Sequence, residues 1–213
     1  MDKAISSAVI RRLPKYLRYL TGLEENGIER ISSQKLSEIT GFTASQIRQD
    51  LNHFGGFGQQ GYGYNVHTLR EQIVRIIGID RGFRIAIAGA GHLGVALANS
   101  VLFRENRFQL VSMFDIDPHV IGTKIGEVQV EPVDRMEEIL RKQKIDILTI
   151  TTPRRSAQEL ADTAVRAGVH GIWNYAQVDL KLPENVVLEN VYLKESLHTL
   201  VYYMGNLKDY KAH

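Results

Sequence analysis

The sequence predicts an α/β protein in two parts, an N-terminal helical unit carrying a hairpin and a C-terminal parallel sheet wound with helices on both faces. Three observations carry the prediction. Short helical patterns bounded by capping residues open the chain and run into GGFGQQGYGY, a segment dense in glycine and aromatics. An apolar strand pattern then passes through GAGHLG into a helix. Beyond it strand and helix patterns alternate, as they do in doubly wound folds. The expected divisions are residues 1–80, 81–192 and 193–213.

A chain of 213 residues leaves room for two small domains, since each folding unit usually needs on the order of 100 residues to bury a sufficient core. Hydrophobic residues at 44% and charged residues at 23% describe a globular protein. No apolar run reaches the roughly 18 residues a membrane span requires, and MDKAISSAVIRRLPKY lacks the apolar core of a secretory leader. The expected location is the cytoplasm. Cysteine is absent, which excludes disulfides and thiolate metal sites, and no metal is expected. The net charge is only +2, yet residues 1–23 carry a net +4 from Lys3, Arg11, Arg12, Lys15 and Arg18 against Asp2. Such a face suits phosphate contacts.

Val9, Leu13, Leu17 and Leu20 recur at helical spacing, with Pro14 expected to limit or kink the helix and Gly22 to close it. Ser32 or Ser33 caps a second, short helix with Leu36 and Ile39 on one side and Gly41 at its end. Thr43-Ala44-Ser45-Gln46 has the form of a capping box, so a third helix starts near Ala44. Its apolar positions Ile47, Leu51 and Phe54 face helix two. Ser45, Gln46, Arg48, Gln49 and Asn52 are then left for the outer side. This is the pattern of a helix-turn-helix. Arg matches the guanine edge and Asn or Gln the adenine edge, so these residues suit base reading.

Residues 55–64 place glycine at 55, 56, 58, 61 and 63 between aromatics, which favours a tight hairpin. A hairpin directly after a recognition helix is a wing, and Gln60 and Tyr62 are its candidate DNA contacts. Leu69, Ile73, Ile76 and Ile77 supply a closing helix, with the boundary between Gly78 and Gly82.

FRIAIAGAGHLG is the dinucleotide fingerprint in its required strand-turn-helix setting. Gly89 makes the turn, Gly91 admits the pyrophosphate to the backbone, and Gly94 lets the helix pack closely. Ala90, His92 and Leu93 complete the phosphate loop at the positive end of the helix. QLVSMFDID is the second strand, and Asp115 at its end suits a ribose diol, favouring NADH and NAD+ over a 2′-phosphorylated cofactor. VQVEP, MEEILRKQ, KIDILTITT, SAQELADTAVRAG, GIWNYA and VVLENV complete a Rossmann sheet of about six strands. Thr151, Thr152 and Pro153 end its fourth strand and Asn174 its fifth, where a ligand over the carboxyl edge is reached. The last helix, Glu195 to Lys208, carries Leu197, Leu200, Val201 and Met204 on a wide apolar face that must pack on its own sheet or on a partner subunit.

The succession RLPKYLRYL, helix-turn-helix, FGGFGQQGYGYNV, GAGHLG and LVYYM resembles the Rex family of redox-sensing repressors over nearly the whole chain. The resemblance implies a transcriptional repressor, not an enzyme. It implies a homodimer that holds a palindromic double-stranded operator when NADH is scarce, leaves it when NADH binds, and exchanges a domain-swapped C-terminal helix. By position, Ser45, Arg48 and Gln49 face DNA, Gly89 to Gly94 the pyrophosphate and Asp115 the ribose. Two positions depart from the pattern: Gln60 stands where members usually have a basic wing residue, and Tyr192 stands where many have an acid that pairs with the residue matching Arg12.

Two other classes compete. An NAD-dependent dehydrogenase needs a substrate domain and an acid or base beside the nicotinamide, whereas only about twenty residues follow the sheet and His92 lies within the fingerprint. A binding module for another nucleotide, such as coenzyme A, is disfavoured by Asp115.

Overall fold

The structure is a computed structural model that describes residues 5–55, 58–59, 62–100, 103 and 107–209. The chain divides after Asp80 into two compact units, the second running from Arg81 to Asn206. Among the described residues no helix is long and apolar enough to cross a membrane.

In the first unit α1 spans Ser7–Glu25, α2 Ser33–Thr40, α3 Ala44–Asn52 and α4 Val66–Ile77. The caps stand where the side chains call for them: Ser32 accepts from the Lys35 amide at 3.1 Å, Thr43 from Gln46 at 3.1 Å and Asn65 from Thr68 at 2.8 Å. Gly41 and Gly78 end α2 and α4 in the left-handed conformation. Helix α1 differs from expectation, running through Pro14 and past Gly22. The proline leaves the Ile10 carbonyl without its helical partner, at an exposed residue where solvent can reach it. Leu13, Tyr16 and Leu20 of α1 share one core with Leu36, Ile47, Leu51, Leu69 and Ile73. Strand β1 is Arg30–Ile31, β2 Gly58–Gln59 and β3 Gly63–Asn65, in the antiparallel order β1-β3-β2. The wing is therefore anchored to a third strand that the sequence pattern did not announce. A Cβ on Gly63, at φ +69°, would lie 2.6 Å from the Ile31 carbonyl oxygen, so only glycine allows β3 this close to β1.

In the second unit β4 is Phe83–Ala88, β5 Phe108–Asp115, β6 Lys124–Ile125, β7 Val128–Pro132, β8 Ile147–Ile150, β9 Gly171–Asn174 and β10 Val187–Asn190. The order β10-β9-β8-β4-β5-β7-β6 is parallel throughout except that β6 is antiparallel at the edge. This is the doubly wound order, reversing direction at β4. Helix α5 is His92–Ala98, α6 Met136–Lys142 and α7 Arg154–Arg166. Ala86, Ala88, Phe114, Leu148 and Ile150 pack with Met136, Leu140, Ala157 and Ala161 of α6 and α7, while Ile87 and Met113 face Leu97. Helix α8, Leu193–Gly205, buries none of its residues, and Leu197, Leu200, Val201 and Met204 are each more than half exposed.

Candidate functional site

Helix α3 starts at a cap and is pinned by burial of Ile47 and Leu51, which turns Ser45, Arg48, Gln49 and Asn52 to solvent. Gln46 is only half-exposed. The Arg48 guanidinium Nη1 donates to Ser33 Oγ on α2 at 3.0 Å. Tyr62 stands 68% exposed with the Arg30 guanidinium over its ring at 5.8 Å. Gln60 lies outside the described residues. An outward Arg, Gln and Asn on a fixed helix, flanked by a hairpin, is chemistry suited to base edges.

One charge on α3 points the other way. Asp50 is 2% exposed and accepts two hydrogen bonds from Arg12, at 2.6 and 2.7 Å, and one from the Tyr16 hydroxyl at 2.7 Å. The hydrogen bond to Asp50 raises the Arg12 guanidinium further, and burial, then the same carboxylate, raises the Tyr16 phenol. Arg12 is therefore spent inside its own unit, which corrects its assignment to the basic outer face. Asp50 was missed, although it left a signal: it falls between Ile47 and Leu51 on the apolar face, where a carboxylate requires a buried partner. Tyr192 has a partner of its own, donating to Asp179 Oδ1 at 2.6 Å. That hydrogen bond raises its phenol above the usual range.

The glycine loop lies at the carboxyl end of β4. Gly89 has φ +106°, its N–H donates to the Phe114 carbonyl at 2.8 Å, and a Cβ there would meet Thr151 Oγ1 at 2.7 Å. A Cβ on Gly94 would come within 1.9 Å of the Gly89 carbonyl oxygen, so α5 packs directly on the loop before it. Gly91 differs, since a Cβ there would meet nothing within 4 Å. Gly91 is the N-cap of α5, whose first amides, those of His92, Leu93 and Gly94, have no partner within the helix. Ala90 is buried, and His92 and Leu93 are exposed.

Asp115 is half-buried and already engaged: Oδ2 accepts from the Ala90 amide at 2.6 Å, and Oδ1 from Ile116 at 2.7 Å and Asp117 at 3.0 Å. A carboxylate offers about four lone-pair directions, so it locks the loop and keeps about one for a hydroxyl. The Thr151 hydroxyl is spent on the Ala88 and Gly89 carbonyls at 3.0 and 2.9 Å. Thr152 Oγ1 is buried without a hydrogen-bond partner among the described residues, an orphan that a polar ligand would satisfy. Pro153 is exposed at the start of α7. Asn174 is a correction: at 1% exposure its amide donates to the Val178 carbonyl at 2.9 Å and Asn190 Oδ1 at 2.8 Å, and its oxygen accepts from Ala176 at 2.9 Å. Both amide hydrogens are spent within the fold, one on the loop after β9 and one on β10, so Asn174 fixes the sheet edge rather than serving a ligand. Open space at Gly91, amides at a helix start, a ribose-type acid and the orphan hydroxyl together fit a dinucleotide. No cluster of three or more His, Asp or Glu that could hold a metal occurs among the described residues.

Comparison with known proteins agrees with both halves. Residues 4–52 match the family model for a putative DNA-binding protein N-terminus, and residues 80–178 match that for a CoA binding domain. The chain is 52% identical over 203 residues to the redox-sensing transcriptional repressor Rex of Clostridioides difficile (strain 630), covering 95% of this chain and 97% of the relative. It is 54% identical over 203 residues to Rex of Clostridium beijerinckii, covering 95% and 96%. Among solved structures it matches RSP, a Rex-family repressor, in complex with β-NAD+ and operator DNA at TM-score 0.90 and 50% identity, over 97% of this chain and 95% of that one. RSP in complex with β-NADH matches at TM-score 0.89 and 47% identity, over 97% of each. With half its residues shared with these repressors over nearly its whole length, the chain belongs to the Rex family of redox-sensing transcriptional repressors.

Proposed function

We propose that this chain is a homodimeric repressor that holds a palindromic operator through α3 and the wing and releases it when NADH binds the second unit. The observation that carries the reading is the presence, in one chain, of the outward Arg48, Gln49 and Asn52 face and the cradle open at Gly91. Both halves of that pairing are seen occupied in a relative, since RSP has been solved with β-NAD+ and operator DNA and with β-NADH. The Gly89–Gly94 backbone would hold the pyrophosphate, Asp115 the adenosine ribose, and Thr152 with Thr151 and Pro153 would border the pocket. The bound nicotinamide supplies the redox signal by being present as NADH or NAD+. Asp115 favours this reading over coenzyme A despite the name of the matching family model, and the relatives are regulators rather than enzymes.

The working divisions are 1–80 for DNA binding, 81–192 for the dinucleotide and 193–213 for dimerisation. Helix α8 supports the last, because a 13-residue helix with no buried residue and an apolar face has its counterpart surface on another molecule. Packing that helix into the partner would make the dimer move as a unit, and a modest rotation would ruin the spacing of two α3 helices along the major groove. As a reader of operator DNA like its relatives, the protein would act in the cytoplasm.

The test is a titration of NADH and of NAD+ into the complex of full-length protein and operator. NADH should displace the DNA and NAD+ should not do so at equal concentration. By linkage, operator must weaken NADH binding by the same factor. Displacement by coenzyme A alone, or turnover of NADH with a substrate, would replace this reading.

A further inference from the structure

We propose that Ser33 is a positioning residue for DNA sequence discrimination, holding the Arg48 guanidinium in the place from which it reads a base. The inference deepens the reading of α3 as the DNA-reading helix and rests on it.

Arg48 lies one turn into α3, fifteen residues from Ser33, and the Nη1-to-Oγ bond of 3.0 Å joins α3 to the first turn of α2. The start of α2 is itself fixed, because the preceding Ser32 caps it on the Lys35 amide. Two consecutive serines thus have separate tasks, one closing the helix end and the other facing across the turn. The guanidinium is also near the wing. Burial raises the Tyr64 phenol on β3 and the Arg48 charge opposes the rise, so the cation lies close enough to that ring to be felt. Tyr64 is 8% exposed and paired in the wing sheet with Ile31 and Gly58. Arg48 is therefore held across α3 and α2, with its charge felt at the wing strand.

An arginine has many rotamers to lose and loses least when its planar fork is placed beforehand. With Nη1 on Ser33, the edge made by Nε and Nη2 keeps its donors for the two acceptors of guanine. A phosphate contact, by contrast, tolerates a wandering cation. Losing the Ser33 hydroxyl should therefore reduce discrimination and leave non-specific binding alone.

The experiment uses full-length protein, the duplex that the wild type enriches from a random library, and a scrambled duplex of the same composition. Ser33→Ala should weaken binding to the enriched duplex about three- to tenfold and leave the scrambled duplex within twofold. Ser33→Thr, which keeps the hydroxyl, should restore the wild-type value, and Ser33→Ala added to Arg48→Ala should cause no further loss. Because alanine is the best helix former, the unfolding midpoint should not fall. No effect of Ser33→Ala beside a clear effect of Arg48→Ala overturns the role of Ser33 and leaves the recognition helix standing. Equal loss on both duplexes, or a loss that persists without Arg48, makes Ser33 a direct backbone contact and overturns the proposal. No effect of Arg48→Ala on either duplex removes the underlying reading as well.

Discussion

Arg12 grips Asp50 with both carboxylate oxygens engaged, Nε at 2.6 Å from one and Nη2 at 2.7 Å from the other, so that α1 is bolted to the inward side of α3. The side chains are 18% and 3% exposed. Removing one partner of a buried pair strands the other charge, at about 3 to 5 kcal/mol. Arg12→Ala should fall near the lower end, since Tyr16 still donates to the carboxylate, and Arg12→Lys should recover only part because it cannot engage both oxygens. Urea unfolding followed by helical circular dichroism measures this. A loss under about 1 kcal/mol would mean that water replaces the guanidinium.

Tyr16 makes stability depend on pH at the alkaline end. Its phenol is fully buried and held above its ordinary value of 10.0, first by desolvation and then by the hydrogen bond to Asp50. The unfolded chain loses this proton near pH 10 while the folded chain keeps it, so the contribution is complete below that pH and is lost as pH rises towards the folded value. The slope from one such group approaches about 1.4 kcal/mol per pH unit. Tyr16→Phe should flatten the fall of unfolding free energy between about pH 10 and 11 relative to wild type, with Tyr64, Tyr175 and Tyr192 among the groups that keep part of it. Parallel curves for the two proteins would place the proton elsewhere.

The glycines of the fingerprint should separate into two phenotypes. Gly91→Val meets open space and an extended backbone, so the fold stays intact while NADH affinity falls more than tenfold, or about 1.4 kcal/mol. Operator binding should survive, leaving a repressor that NADH cannot release. Gly94→Ala drives a methyl group into the Gly89 carbonyl and should lower stability by about 3 kcal/mol along with cofactor binding. Fluorescence titration and thermal unfolding of both variants distinguish them, and NADH binding within threefold of wild type in Gly91→Val would make the fingerprint purely structural.

Helix α8 should govern oligomeric state. Deleting residues 195–213 should shift the protein from dimer to monomer in sedimentation equilibrium, or leave it aggregating through bared counterpart surfaces. Leu200→Asp in the full chain, at a position 54% exposed, should do the same without disturbing either core. A truncated protein that stays dimeric and still releases operator with NADH would refute an exchanged helix.

Much of this was legible locally. Caps at Ser32 and Thr43, left-handed glycines at Gly41 and Gly78, and the strand-loop-helix around Gly89 depend on near neighbours in the chain, so they are visible as pattern. Strand β1 was not, because two residues carry no periodicity and it exists only through pairing with Asn65 and Tyr64. Pro14 and Gly22 reverse their usual meaning because α1 packs on α4, and tertiary burial outweighs local preferences of about 3 kcal/mol at the proline and about 1 kcal/mol at the glycine.

The sequence by itself determined which chemistry is present: an Arg, Gln and Asn helix surface, a glycine loop fit for phosphates, an acid fit for a ribose, and an apolar terminal helix. Tertiary structure alone decided how those groups are used. It turned Arg12 inward to Asp50, tied Arg48 to Ser33, loaded Asp115 with three amides and spent Asn174 on Val178, Ala176 and Asn190. The reason is that a polar side chain leaves water only for a partner of matched geometry. The partner it finds stands anywhere from one to thirty-eight positions away in sequence, at spacings periodicity does not record.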